Sequence, residues 1–354
     1  MPDIAAWLQF AVETGASDLH LVPGYRPTLR LHGRLLALDA PELKPETLGT
    51  ALLALCPNDS VHALDVRKNT DFAIDLPLDG TSRRFRANYF YTGGQLAACF
   101  RVILGAIPDF EWTGFPRDIA ERLAHLRDGL VLITGITGSG KTTTLATIVN
   151  LLNQETGHRI ITVEEPIEYI FPHNPGSVVT QREVGQDVLT FADGLKYGLR
   201  HDPDVILVGE IRDRETAQMA LSAAETGHLV FSTLHTRNAA GAISRYVDLF
   251  PQDVQGEIRS QLSLSLRAVI SQHLVPGLDT GAKRELALEI LLITPAVASG
   301  IRFGKLETLE RYIQTGAAEG MRTLDESIRR LFKSGRITRG TAEGLVSDPQ
   351  YLAR

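Results

Sequence analysis

The chain has 354 residues, 44% of apolar type and 22% charged, which excludes a disordered or fibrous protein. At about 100–200 residues per domain, that length suggests two domains. With 36 basic and 42 acidic side chains, the formal charge is −6 and evenly spread, whereas gripping a nucleic-acid backbone calls for a basic excess. Cys56 and Cys99 are too few for a Cys-x-x-Cys zinc site or a disulfide framework. Each lies in an apolar stretch and reads as a small buried hydrophobe in a reducing compartment. No segment approaches the roughly 18 consecutive apolar residues of a membrane span. The start, Met1-Pro2-Asp3-Ile4, lacks the regions of a signal peptide. The expectation is a soluble, cytoplasmic protein with no direct membrane insertion, touching a membrane only through a partner.

Residues 1–105 read as a small mixed domain. Ile4, Leu8 and Val12 have helical spacing up to Gly15. Short alternating stretches follow at residues 18–22, 27–31 and 72–76, bounded by Pro-Gly and Asp-Gly pairs. Residues 84–90 and 97–103 read as two more strands around a Thr92-Gly93-Gly94 turn. Residues 106–118 lie in a Pro/Gly-bearing stretch that reads as a linker. From 119 to 354 the pattern becomes apolar strands, at 130–134, 160–163, 205–208, 229–233 and 286–293, alternating with longer helices. That alternation predicts a mostly parallel α/β sheet. The C-terminal region, from Leu324 through Phe332 onward, has the spacing of an amphipathic helix.

Gly135-Ile136-Thr137-Gly138-Ser139-Gly140-Lys141-Thr142 matches G-x-x-x-x-G-K-[ST] in full, with an apolar strand before it and a helix after it. In such a loop the glycines let backbone N–H groups turn inward around an anion, assisted by the helix dipole. Lys141 is placed for the β- and γ-phosphates and the Thr142 hydroxyl for Mg²⁺. The pattern predicts a nucleoside-triphosphate site. Val205 to Val208 is an apolar strand delivering Glu210 at its carboxyl end, where open α/β sheets bind ligands. Gly209-Glu210 stands where an ordinary Walker B has Asp, so Glu210 takes the metal-side role. A second strand end carries Glu164, Glu165 and Glu168. His235 follows a further strand on the same side and is placed to sense or hydrogen-bond the γ-phosphate.

Three boxes carry a resemblance: Thr162 to Glu168 as an Asp box, Asp202 to Asp213 as an atypical Walker B, and Ala224 to Thr236 as a His box. With Ser17 to Leu21, Val179 to Gly185 and Gly320 to Asp325, they resemble the secretion-ATPase superfamily, most closely the type IV pilus retraction ATPases of the PilT/PilU family. The resemblance covers nearly the whole chain. It implies a PAS-like α+β domain followed by a RecA-like P-loop ATPase domain, in a homohexamer that binds ATP and Mg²⁺ at subunit interfaces. It further implies hydrolysis that drives pilus retraction through an inner-membrane platform protein, with a paralogous ATPase as another partner. By the same resemblance Glu164 polarises the attacking water, Glu210 acts at the magnesium side, and Arg86 and Arg101 are arginine fingers.

Two positions depart from the pattern. Glu165 stands where the family usually has Asp, which leaves open whether Glu164 or Glu165 faces the water. Ala296 to Arg302 lacks the usual Ala-Ile-Arg-Asn-Leu-Ile-Arg segment, which keeps an accessory, PilU-like role in view. Assembly and type II secretion ATPases usually carry a longer N-terminal region and often a four-cysteine zinc insertion, neither of which is expected here. A RecA-type nucleic-acid motor is disfavoured by the acidic, even charge.

Overall fold

The computed structural model describes residues 2–31, 33–78, 80–103, 105–155, 157–278 and 284–352. They form two compact units. One runs up to Ala106 and includes Pro166–Ile170; the other takes the remainder from Ile107 onward.

The first unit is built on six strands: β1 (Asp18–Leu21), β2 (Thr28–Leu31), β3 (Arg34–Ala37), β4 (Asn69–Leu78), β5 (Thr81–Thr92) and β6 (Gln95–Val102). They pair antiparallel throughout, in the order β3-β2-β1-β6-β5-β4. Alternation along β5 buries Phe85, Ala87 and Tyr89 and turns Arg84, Arg86 and Asn88 to the other face. Tyr89 packs edge-to-face on Phe72 and Phe100, with ring centroids 4.9 and 5.8 Å apart, geometry worth about 0.5–1.5 kcal/mol per pair beyond area burial. The β5–β6 hairpin closes through Gly93 and Gly94, both at positive φ, as a two-residue primed turn requires. The Ile4–Thr14 helix forms as its spacing predicts, capped by the Asp3 carboxylate and ended by left-handed Gly15. Helices Pro45–Leu55 and Asn58–Arg67 lie outside the sequence reading; Leu48, Leu52 and Leu64 are their core contacts. Cys56 is buried and Cys99 half-buried, and burial pushes both thiols up to about 11.

The second unit holds β7 (Gly129–Thr134), β8 (Arg159–Glu164), β9 (Val178–Glu183), β10 (Val205–Val208), β11 (Leu229–Leu234), β12 (Leu266–Val275) and β13 (Glu285–Leu292). The order is β13-β12-β7-β11-β10-β8-β9, parallel except for the antiparallel β12–β13 pair. Every residue of β7, β10 and β11 is buried, as expected for a sheet covered on both faces. β9 and β12 escape the sequence reading for different reasons. β9 is a polar edge strand, Val-Val-Thr-Gln-Arg-Glu. β12 starts directly from the Gln255–Ser265 helix, with no glycine or proline between them to mark the change of period. Residues 110–113, inside the predicted linker 106–118, and 117–124, which begin at its end, form two short helices in this unit. Near the C-terminus, Leu324–Lys333 is helical and buries Ile328 and Leu331. Among the described residues, no helix is long and apolar enough to cross a membrane.

The carboxyl ends of β7, β8, β10 and β11 lie side by side because these strands are parallel and in register. One close approach sets β8: a Cβ at Gly194, in the Phe191–Gly198 helix, would lie 2.6 Å from Val163 Cγ1. Gly194→Ala should therefore destabilise the second unit by about 1–3 kcal/mol through overpacking. Denaturant unfolding checks this, and an unchanged midpoint would show that β8 yields without cost.

Candidate active site

The phosphate loop leaves the end of β7 and enters the Lys141–Gln154 helix. Gly135, Gly138 and Gly140 all have positive φ, at 147°, 77° and 86°, a region that side chains beyond glycine rarely occupy. At Gly135 space is also decisive, since a Cβ would collide with Ser139 Oγ and the Gln272 carbonyl. The Lys141 side chain is buried, and its Nζ donates to the carbonyls of Gly135 (3.0 Å) and Ile136 (3.2 Å). A buried ammonium held among backbone carbonyls at a helix N-terminus is a natural anion receptor. Thr142, the second helical residue, is half-buried beside it.

Glu210 follows β10 and stays tied to the sheet. Gly209 N–H donates to Val163 O at 2.8 Å, and Ile211 N–H donates to Thr233 O at 3.1 Å. The glycine in Gly209-Glu210 has a steric reason: a Cβ there would sit 3.3 Å from the Val163 carbonyl and 3.4 Å from the Phe191 ring. Glu210 Oε2 meets Arg212 Nη2 at 2.9 Å and His235 Nε2 at 3.2 Å. His235 Nδ1 lies 3.4 Å from Thr137 Oγ1. With Nε2–H donating to Glu210, Nδ1 is left to accept from the Thr137 hydroxyl. His235 thus spans from the Walker B carboxylate to the phosphate loop. Burial of Glu210 pushes its pKa up, but hydrogen bonds and charge from Arg212 and His235 outweigh this and hold it below the ordinary carboxylate value.

Glu164 and Glu165 are separated by their partners. Glu164 is buried, and its Oε1 accepts from Thr162 Oγ1 (2.7 Å) and Gln181 Nε2 (3.2 Å). Glu165 is more exposed, and Arg212 Nη1 donates to its Oε2 at 2.9 Å. Arg212 therefore bridges Glu165 and Glu210, a role that sequence reasoning missed although the arginine stands two residues after Glu210. Gln181 was missed with its strand; its Oε1 also accepts from Phe171 N–H at 3.0 Å. His228, at the opposite end of β11, has Nδ1 3.0 Å from the Ala223 carbonyl and is part of a helix end.

Arg86 and Arg101 belong to the first unit, where they face each other across β5 and β6. Arg101 Nε donates to the buried Asp18 carboxylate at 3.0 Å, and Arg86 Nε to Asp71 at 3.3 Å. Arg84, their neighbour, has different partners. Its Nε donates to the Ile167 carbonyl at 2.7 Å and its Nη1 to Asp75 at 2.6 Å. The loop glycines, the buried ammonium and the helix start fit a polyphosphate. The Thr142 hydroxyl and Glu210 carboxylate are oxygen donors of the kind a hard divalent cation takes.

A family model described as Type II/IV secretion system protein matches residues 1–328. The chain belongs to that family of secretion ATPases. It is 40% identical over 348 residues to the type IV pilus retraction ATPase PilT of Pseudomonas aeruginosa, covering 98% of this chain and 99% of the relative. Identity to the type IV pilus ATPase PilU of the same organism is 38% over 331 residues, covering 94% and 85%. A crystal structure of the pilus retraction motor PilT with bound ADP superposes with a TM-score of 0.86 at 42% identity, over the full length of both chains. Within the family the chain stands with the PilT/PilU ATPases.

Because Arg212 and His235 keep Glu210 ionised, its stabilising contribution is present at neutral pH and lost as pH falls through the depressed pKa. Arg212→Gln removes a lowering partner, so the acid limb of the ATPase pH profile should move to higher pH. An unshifted limb in the variant would contradict this coupling.

Proposed function

We propose that this chain is the ATP-hydrolysing motor subunit of a type IV pilus retraction machine. The observation that carries the reading is the convergence of the phosphate loop, Glu210 and His235 at one sheet edge, in a chain 40% identical to PilT from end to end. Hydrolysis joins a water oxygen to the γ-phosphorus while the bond to the β-phosphate oxygen breaks, yielding ADP and phosphate. Lys141 and the loop amides bind and orient the phosphates. Glu164, fixed by Thr162 and Gln181, polarises the water and takes its proton. Glu165 stays with Arg212. His235 reads the γ-phosphate between Thr137 and Glu210. Thr142 and Glu210 would hold Mg²⁺, which when bound neutralises charge on the phosphate oxygens.

In this reading six copies form a ring, its N-terminal units are PAS-like, and Arg86 and Arg101 act as arginine fingers on the nucleotide of an adjacent subunit. The ring works in the cytoplasm, peripheral to the inner membrane, through a platform protein and beside a paralogous ATPase. An accessory, PilU-like role is the second reading. It is favoured by 38% identity to PilU and by the helix Pro295–Arg302, which carries the divergent segment.

Lys141→Ala or Glu210→Gln should abolish ATP turnover by the purified chain; undiminished phosphate release from either would sink the site assignment. Arg86→Gln should lower kcat by about 10³-fold or more if it is an arginine finger, with ADP affinity retained. A change under threefold would remove it from the machinery. A deletion strain that loses retraction while keeping surface pili supports the main-motor reading. Retained retraction supports the accessory one.

A further inference from the structure

β12 touches the phosphate loop at a residue to which the nucleotide reading gives no role. Gln272 is fully buried, and its side-chain Nε2 donates to the Ser139 carbonyl at 2.6 Å. The Gln272 backbone carbonyl is one of the two groups that a Cβ at Gly135 would strike, and a Cβ at Gly140 would lie 3.4 Å from Gln272 Nε2. This one residue therefore lies against the first, fifth and sixth positions of the loop. Two more atoms mark the spot as polar and tightly enclosed: Gln272 Oε1 and Ser139 Oγ are both buried with no hydrogen-bond partner. The neighbours on β12 hold other groups. Ser271 Oγ accepts from Thr134 Oγ1 at 2.9 Å, and His273 Nε2 donates to the Arg237 carbonyl at 3.0 Å.

The geometry has a direct consequence for the loop. In a planar trans peptide the C=O of one residue and the N–H of the next point in opposite directions. Holding the Ser139 carbonyl toward β12 therefore turns the Gly140 N–H away from β12. Gly140 has a φ of 86° and no side chain of its own to restrain that peptide plane. We propose that Gln272 is a positioning residue for the nucleotide phosphates, fixing the Ser139–Gly140 peptide so that the Gly140 N–H is aimed at the bound anion. This rests on the reading of the loop as a nucleotide site.

The effect is on binding, shared by ground and transition states, so it appears in affinity and KM more than in kcat. The test titrates ADP into the full-length protein by calorimetry and measures steady-state ATPase kinetics for wild type, Gln272→Met and Ser271→Ala. Gln272→Met keeps the length and removes the donor. Its ADP affinity should fall about 10–100-fold, from an unmet buried carbonyl and a freed peptide plane, with KM raised and kcat within about threefold of wild type. Ser271→Ala removes a buried hydrogen bond on the same strand without touching the loop, and should leave ADP affinity within about twofold. If Gln272→Met does not fold, Gln272→Asn, one methylene short, is measured in its place with a weakened affinity again expected. Unchanged ADP affinity in whichever variant folds overturns the proposal, as does an equal loss in Ser271→Ala. A wild-type protein that binds no ADP overturns the nucleotide reading itself.

Discussion

The Glu210 carboxylate is the point on which the site's organisation depends. One of its oxygens faces both Arg212 and His235, so a single anion draws together β10, β11 and the phosphate loop. Arg212 extends the connection to Glu165 past β8. An anion held by two cationic or hydrogen-bonding partners keeps its charge despite partial burial. A charge at a sheet edge is useful only if its position is fixed. That fixity comes from backbone: Gly209 donates to β8 and Ile211 to β11, while the missing Cβ at 209 allows the close approach.

The surroundings of the site follow from the parallel arrangement. Strands buried on both faces read as mostly apolar runs, and the charged groups of the site stand at or just past their carboxyl ends. Glu164, Glu210, His235 and the phosphate loop all arise in this way. The two glutamates at the end of β8 divide because Glu164, its last residue, is buried and fixed by Thr162 and Gln181, and Glu165, the next, is more exposed and beside Arg212. Adjacent residues on an extended backbone point in opposite directions, so neighbouring carboxylates meet different partners.

The first unit shows the same separation among its arginines. Arg84, Arg86 and Arg101 share the polar face of the antiparallel sheet, yet each has its own acid: Asp75, Asp71 and Asp18. Arg84 is further committed to the Ile167 carbonyl. Asp18 is buried, so its bond to Arg101 is not an ordinary surface pair. Removing the arginine would leave a buried carboxylate without its countercharge. The exposed Arg86–Asp71 pair contributes little to stability, which leaves Arg86 available for another anion at small cost.

Much of this protein was determined locally and was legible in the chain itself. The phosphate loop is contiguous, its glycines answer to backbone conformation, and the apolar runs before Thr134, Glu164, Gly209 and His235 mark strands by composition alone. Three of the chain's 31 glycines, Gly135, Gly138 and Gly140, stand within the eight residues of that loop. What remained hidden depends on partners distant in sequence. Nothing near Glu165 indicates that Arg212 would claim it, because the pairing exists only once β8 and β10 lie in register. β12 carries no turn signal at its start, so its period is masked by the helix before it, and Gln272 reads as an unremarkable polar residue. Its meaning comes from burial against Ser139, 133 positions away. Chain order decides which groups the protein has; the sheet decides which of them meet.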